Sequence, residues 1–197
     1  MNRDELAELH YIAPISNVAS ILRRGIVSHR QAVRLQHQTV AMQEIQERRA
    51  KVRVPGARFL HEYANLYFCA RNPMLYKRRA EHAGLCVLRV DTAVLDLPGV
   101  VIADRNASSD HVRFGAAPQA ISLVDRNLVF AEVWTHPEDR IMEWRHRSIK
   151  CAEVLVPDRI GPEYIVGAYV SGDEGGQALV AVASGLAVTV NAPLFFR

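Results

Sequence analysis

The chain has 197 residues, enough for one compact domain with a real core and short for two. At 49% hydrophobic and 23% charged residues it has the balance of a soluble globular protein, and no apolar run approaches the ~20 residues that span a bilayer. The net charge of +3 hides an asymmetry: residues 21–80 carry 13 Lys/Arg and 3 Asp/Glu, a net of +10, whereas residues 81–197 carry 10 and 15, a net of −5. A basic region of this kind is either a surface for polyanions or a solvated helical face with loops. The start, MNRDELAELHYIAP, is acidic and has no apolar h-region, so neither a secretory leader nor a membrane partner is expected. Cys69, Cys86 and Cys151 are odd in number and widely spaced, which fits reduced thiols in a cytoplasm better than a disulfide framework or a metal site.

LHYIAPI reads as a first strand broken by Pro14, with Ser16 or Asn17 as the cap of a helix that Gly25 ends. Residues 28–40 read as an irregular loop, 41–52 as a helix with few apolar anchors, and VPGARFLHEYA as loop. NLYFCA (65–70) is a short strand, and Pro73 suits the first turn of a helix. LCVLRVD (85–91) alternates and is β-branched, so it is a strand. LPGVVIADRNASSD contains a strand between turns, and 111–150 mixes short helix with loop. CAEVLVP (151–157), EYIVGAYVS (163–171) and ALVAVASGLAVTVN (178–191) supply further strands, with GDEGG (172–176) as a turn. Seven or eight strands, with helices concentrated in the N-terminal half, make the fold class α+β in a single domain over 1–197. There is no GxGxxG and no P-loop, so a bound nucleotide would not sit in a Rossmann manner.

Three segments could carry chemistry. IQERRAKVRV (45–54) places Arg48, Arg49, Lys51 and Arg53 within six positions, with Arg49 and Arg53 on one helical face. Arginine suits pyrophosphate through its planar fork, although a solvent-exposed basic helix reads the same way. In KCAEVLVP, Glu153 stands alone in an apolar strand, on the face of Leu155 and opposite Ala152 and Val154. It either faces solvent at an edge or is kept for a purpose, because burying an unpaired carboxylate is costly. LYFCARNPMLY (66–76) is aromatic-rich, and Tyr67 and Phe68 could stack on a planar ring or fill the core. No GxSxG elbow is present, no cysteine has an obvious histidine partner, and His136 and His146 read as surface groups.

SNVASILRRGIVSH (16–29), QERR (46–49), YFCARNPMLY (67–76), ADRNASSDHVRF (103–114) and CAEVLV (151–156), in this order, resemble the DarT family of DNA ADP-ribosyltransferase toxins. The resemblance runs from about Leu9 to the end. It implies a split β-sheet core and NAD as co-substrate, with no metal. It also implies single-stranded DNA as acceptor and a cognate antitoxin that removes the modification or binds the enzyme. Arg49 and Glu153 match its catalytic pair, and 33–51 resembles its NAD-clasping loop and helix. Ser20 and Ser28 match further NAD contacts, and Tyr67 and Met74 the nicotinamide end. The family's first-strand histidine falls on Tyr11 by register, with His10 one residue early, so His10, Tyr11, Ile12 and Ala13 are all candidates for the NAD-binding strand. The stretch from Asn106 to Glu153 resembles the segment that presents nucleic acid. Arg71, Asn106, Arg113, Trp144 and His146 are the DNA-binding candidates. RNPMLYKRR, ADRNAS and Asn106 look closer to the guanine-modifying branch than to the thymine-modifying one. Rival readings keep the transferase with RNA, tRNA or protein as acceptor, use water as acceptor, or make the chain a non-catalytic nucleic-acid-binding module.

Overall fold

The computed structural model describes residues 1–197. Ten strands form: β1 (Leu9–Pro14), β2 (Ile26–Val27), β3 (Tyr63–Tyr67), β4 (Leu85–Val90), β5 (Val101–Ala103), β6 (Phe114–Ala116), β7 (Glu153–Pro157), β8 (Arg159–Ile160), β9 (Ile165–Val170) and β10 (Val188–Val190). The helices are α1 (Val18–Arg24), α2 (His29–Ala32), α3 (Gln43–Lys51), α4 (Pro73–Lys77), α5 (Arg126–Phe130), α6 (Arg140–Ile149) and α7 (Asp173–Val182). Eight strands make one sheet in the order β10-β9-β4-β1-β3-β7-β5-β6, and β2 and β8 pair separately. Only the β10–β9 pair is parallel.

The sheet is two halves joined by a seam. β1 pairs with β4 along its whole length, from Leu9↔Val90 to Pro14↔Leu85. β3 pairs likewise with β7, from Tyr63↔Pro157 to Tyr67↔Glu153. Between β1 and β3 there is one bridging pair, His10↔Tyr67. Beyond it the strands part, and the open edges become walls.

Burial follows the strand alternation. Val154 and Val156 of β7 enter the main core with Leu9, Leu66, Leu88 and Leu179. Leu155 turns the other way, into a smaller cluster with Leu60, Tyr63, Ala103 and Ala107. Glu153 shares the face of Leu155, as the period-2 pattern requires. Gly25 ends α1 at φ 84, and a Cβ there would collide with the Ile160 carbonyl oxygen of β8.

Three sequence expectations are corrected. Helix is not concentrated in the N-terminal half, because the two longest helices, α6 and α7 at ten residues each, lie in the second half. GDEGG and the first part of ALVAVASG are one helix. Asp173 and Glu174 sit in its first turn, where carboxylates favour the helix dipole, and Gly175 and Leu179 are its buried face. Ser16 and Asn17 do not cap α1. Ser16 Oγ donates to Gln38 Oε1, and the Asn17 amide brackets the Gln38 backbone at 2.7 and 3.1 Å, so these residues tether the 33–42 loop.

Candidate active site

The seam opens into a cavity of about 490 Å³, within the usual range for small-molecule sites. Tyr11, Ile12 and Pro14 wall it from β1, and Tyr63, Asn65 and Tyr67 from β3. The 37–42 loop and α3 close one side, and Asn106, Ser108 and α6 another.

Glu153 lies in this cavity at 1% exposure, and Arg49 reaches it from α3 at 7%. Arg49 Nη1 donates to both Glu153 oxygens at 3.0 Å, and the Ala107 backbone N–H donates to Oε1 at 3.1 Å. The edge-facing reading of Glu153 therefore fails, because the carboxylate is buried and paired. Burial opposes the Arg49 charge, but Glu153 outweighs it, so the guanidinium pKa is raised. Nε and Nη2 of Arg49 have no partner in the protein, which leaves two charged donors for a ligand. Of the rest of the basic run, Arg48 also lines the cavity, whereas Arg53 donates to the Ala57 carbonyl and lies over the Phe59 ring.

The neighbours fix what the pair can do. Burial and then Glu153 hold the Tyr67 phenol well above its ordinary pKa, so it stays protonated. Burial and Glu153 push the Cys151 thiol up to about 12, which removes it as a nucleophile near neutral pH. Asn72 caps α4 by accepting from the Met74 and Leu75 N–H groups, and so sets Met74 on the cavity wall. No group of His, Cys, Asp and Glu comes together to hold a metal ion.

A family model described as "ssDNA thymidine ADP-ribosyltransferase, DarT" matches residues 10–188. The chain belongs to the DarT family. A DNA ADP-ribosyl transferase of Thermus sp. (strain 2.9) is 32% identical over 164 residues, 77% of this chain and 75% of the relative. A DNA ADP-ribosyl transferase-DNA ADP-ribosyl glycohydrolase fusion protein of Thermosipho africanus is 31% identical over 195 residues, 93% of this chain. The chain spans about half of that fusion's length, with 46% covered. Among solved structures, Thermosipho africanus DarTG in complex with ADP-ribose superposes with a TM-score of 0.83 at 30% identity, covering 96% of this chain and 51% of that one. Thermus sp. 2.9 DarT in complex with ADP-ribosylated ssDNA superposes at 0.85 and 24% identity, covering 96% of each chain, which fixes the fold.

The DarT fold distributes the remaining candidates unevenly. Tyr11, Ile12, Tyr67 and Met74 line the cavity, as do Asn106 and Trp144. His10 does not: its ring nitrogens lie 3.2 Å from the Phe68 carbonyl and from Glu8 Oε1, on the far side of the seam. Ala13 is core, Ser20 lies on α1 away from the cavity, and Ser28 is buried between two lining residues, Val27 and His29. Arg71 is held by the Pro193 and Glu132 carbonyls, and Arg113 by Asp104, so neither points into the cavity. His146 is no surface group. It is 3% exposed, donates through Nε2 to the Leu128 carbonyl and meets His136 through Nδ1 at 2.8 Å, so it joins α6 to α5.

Arg147 and Ser148 also line the cavity and escaped the sequence reading. With Trp144 and Cys151 they recur at three- and four-residue spacing, one face of α6 and the turn after it. That period was the available signal. His29 and His61, also on the wall, are brought together from 32 positions apart and left none.

Proposed function

We propose that this chain transfers ADP-ribose from NAD to a base of single-stranded DNA, with Arg49 and Glu153 at the reacting centre. The observation that carries the reading is the buried Arg49–Glu153 pair on the wall of a nucleotide-sized cavity. The relatives' names are consistent with it. The Thermus relative is a DNA ADP-ribosyl transferase, and a Thermus structure holds NAD+.

Each residue has a distinct role. The free Arg49 donors bind the pyrophosphate or a ribose oxygen. The bond between nicotinamide and the ribose breaks with its electron pair leaving on nicotinamide, and positive charge develops at the anomeric carbon. Glu153, fixed in place by Arg49 and the Ala107 N–H, stabilises that charge without reorganising. A nitrogen of the base forms the new bond to the anomeric carbon and loses its proton to solvent. Duplex pairing hides such nitrogens, so the acceptor strand is single or flipped out. Trp144, 55% exposed beside Arg147, offers a stacking face next to a phosphate-binding cation.

Guanine is the acceptor this reading favours, on the resemblance of RNPMLYKRR and ADRNAS and on Asn106 in the cavity wall. Thymine is the second reading, favoured by the description of the family model. The fusion relative joins a transferase to a glycohydrolase, which supports a partner for this chain that removes the modification, and with it a toxin's role. Labelled NAD incubated with single-stranded oligomers, each lacking one base, beside matched RNA, tests all of this. Label lost only when guanine is omitted supports the first reading, and label lost only without thymine the second. Nicotinamide released with no label on any nucleic acid sinks both.

A further inference from the structure

One end of the cavity is chemically unlike the Arg49–Glu153 centre. His61, just before β3, and His29, at the start of α2, both line it, with ring centroids 4.0 Å apart and planes tilted by 38°. The pair also walls a second groove of about 440 Å³ on the outside, so the two rings stand between two spaces. Gln46, one turn before Arg49 on α3, faces the same end. Two buried polar atoms of these lining residues have no partner, Gln46 Oε1 and His61 Nε2, and neither does Ser28 Oγ, which precedes His29 in the chain. Buried polar atoms are almost always paired, and a group of orphans against a cavity marks a place that a ligand completes.

The chemistry of the orphans restricts the ligand. Burial, then His29 and Arg49, push His61 down to about 4, and burial, then His37 and Arg49, lower His29, so both rings are neutral near pH 7. With the ring proton on Nδ1, His61 Nε2 is a bare acceptor, as is the amide oxygen of Gln46. Two neutral acceptors repel a phosphate and match a pair of O–H or N–H donors.

We propose that Gln46 and His61 form a neutral hydrogen-bonding subsite for a donor edge of the nucleotide, a ribose diol or an exocyclic amine, beside the Arg49 charge. This rests on the reading that the cavity binds NAD. It divides recognition in two, with charge read at Arg49 and neutral donors read one helical turn away. Neither residue is placed in the bond-breaking step. They position the nucleotide.

The test is calorimetric titration of the full chain with a carbocyclic NAD analogue, whose glycosidic bond does not break. Wild type, His61→Phe and Gln46→Leu are compared, with melting curves confirming that each folds. Gln46 is half-buried and tolerates the change if His61→Phe does not fold. Each substitution is expected to weaken binding by roughly tenfold, the scale of one orphaned acceptor. Two further analogues locate the donor: one with hypoxanthine for adenine, one lacking the adenosine 2′-hydroxyl. The analogue that removes the engaged donor loses affinity in wild type and nothing more in His61→Phe. If neither loses affinity in wild type while both variants do, the donor is on the nicotinamide half. Wild-type affinity in both folded variants overturns the subsite and leaves the transferase reading intact. So does weakened binding of single-stranded DNA with nucleotide binding unchanged. No binding to wild type at all removes the transferase reading itself.

Discussion

Glu8 and Glu153 are each bound to an arginine, and the difference between them separates a structural group from a working one. Glu8 precedes β1 and takes donors from three sides: the Tyr169 hydroxyl at 2.8 Å, Arg89 Nε at 2.6 Å and the His10 ring at 3.2 Å. Burial alone would raise its pKa, but His10, Arg89 and Tyr169 together hold it down to about 2. Every donor comes from the protein, and the group stitches β1, β4 and β9. Glu153 is more deeply buried and also takes three hydrogen bonds, two from Arg49 and one from the Ala107 N–H. The difference is the surroundings: Glu153 and Arg49 line the cavity, whereas Glu8 and Arg89 do not. A carboxylate–arginine pair away from the cavity holds the fold, whereas one on its wall is set for chemistry.

The comparison can be broken at several points. Glu153→Gln keeps the shape and removes the charge, and transfer of label from NAD to single-stranded DNA should fall by about 10²–10³ or more in a folded protein. Retention of full activity would place the reacting centre elsewhere. Arg49→Lys keeps a positive charge but loses the planar fork, so nucleotide affinity should drop by roughly 10–100-fold in a direct titration. Glu8→Gln should leave transfer within a few-fold of wild type and lower stability at pH 7 by about 1–2 kcal/mol, discounted for the solvent that reaches the group. Because the folded Glu8 pKa is depressed, its stabilisation is present above the ordinary carboxylate range and is lost as pH falls toward about 2. Thermal unfolding at pH 7 and pH 3 should therefore separate the variant from wild type more at the higher pH. The smallest effect belongs to Asn72→Ala, which removes the α4 cap and should cost ~1 kcal/mol by denaturant unfolding, with a modest rise in KM for NAD through displaced Met74.

Much of this was legible before the structure. Glu153 was conspicuous because a carboxylate in an apolar strand demands an explanation, and strand alternation placed it on the face of Leu155. From the residues themselves Arg49 was one of four cations, and only the family resemblance singled it out. Nothing local says which of them turns inward, since that depends on β7 lying 104 positions away. The errors are physical too. The run from Asp173 to Val182 is rich in small apolar residues and has two glycines, Gly175 and Gly176, in its first turns, so its period fits strand or helix, and packing of Gly175 against Val170 accompanies the helix. His146, flanked by arginines, has the local signature of a solvated face. α6 rotates it against α5 instead and shows Trp144 to the cavity.

The single bridge between β1 and β3 has a mechanical consequence. Across most of the sheet each strand is fastened to its neighbour by a ladder, but at His10↔Tyr67 the fastening is one rung. A molecule lying in that gap touches both halves at once and serves as the missing rungs. Occupancy should then be readable as rigidity: at a hundredfold excess over its Kd, a ligand there adds about 2.7 kcal/mol to the folded state. Slowed amide exchange along β1 and β3 together would report it, so the sheet's one-rung join doubles as a gauge of whether a ligand is aboard.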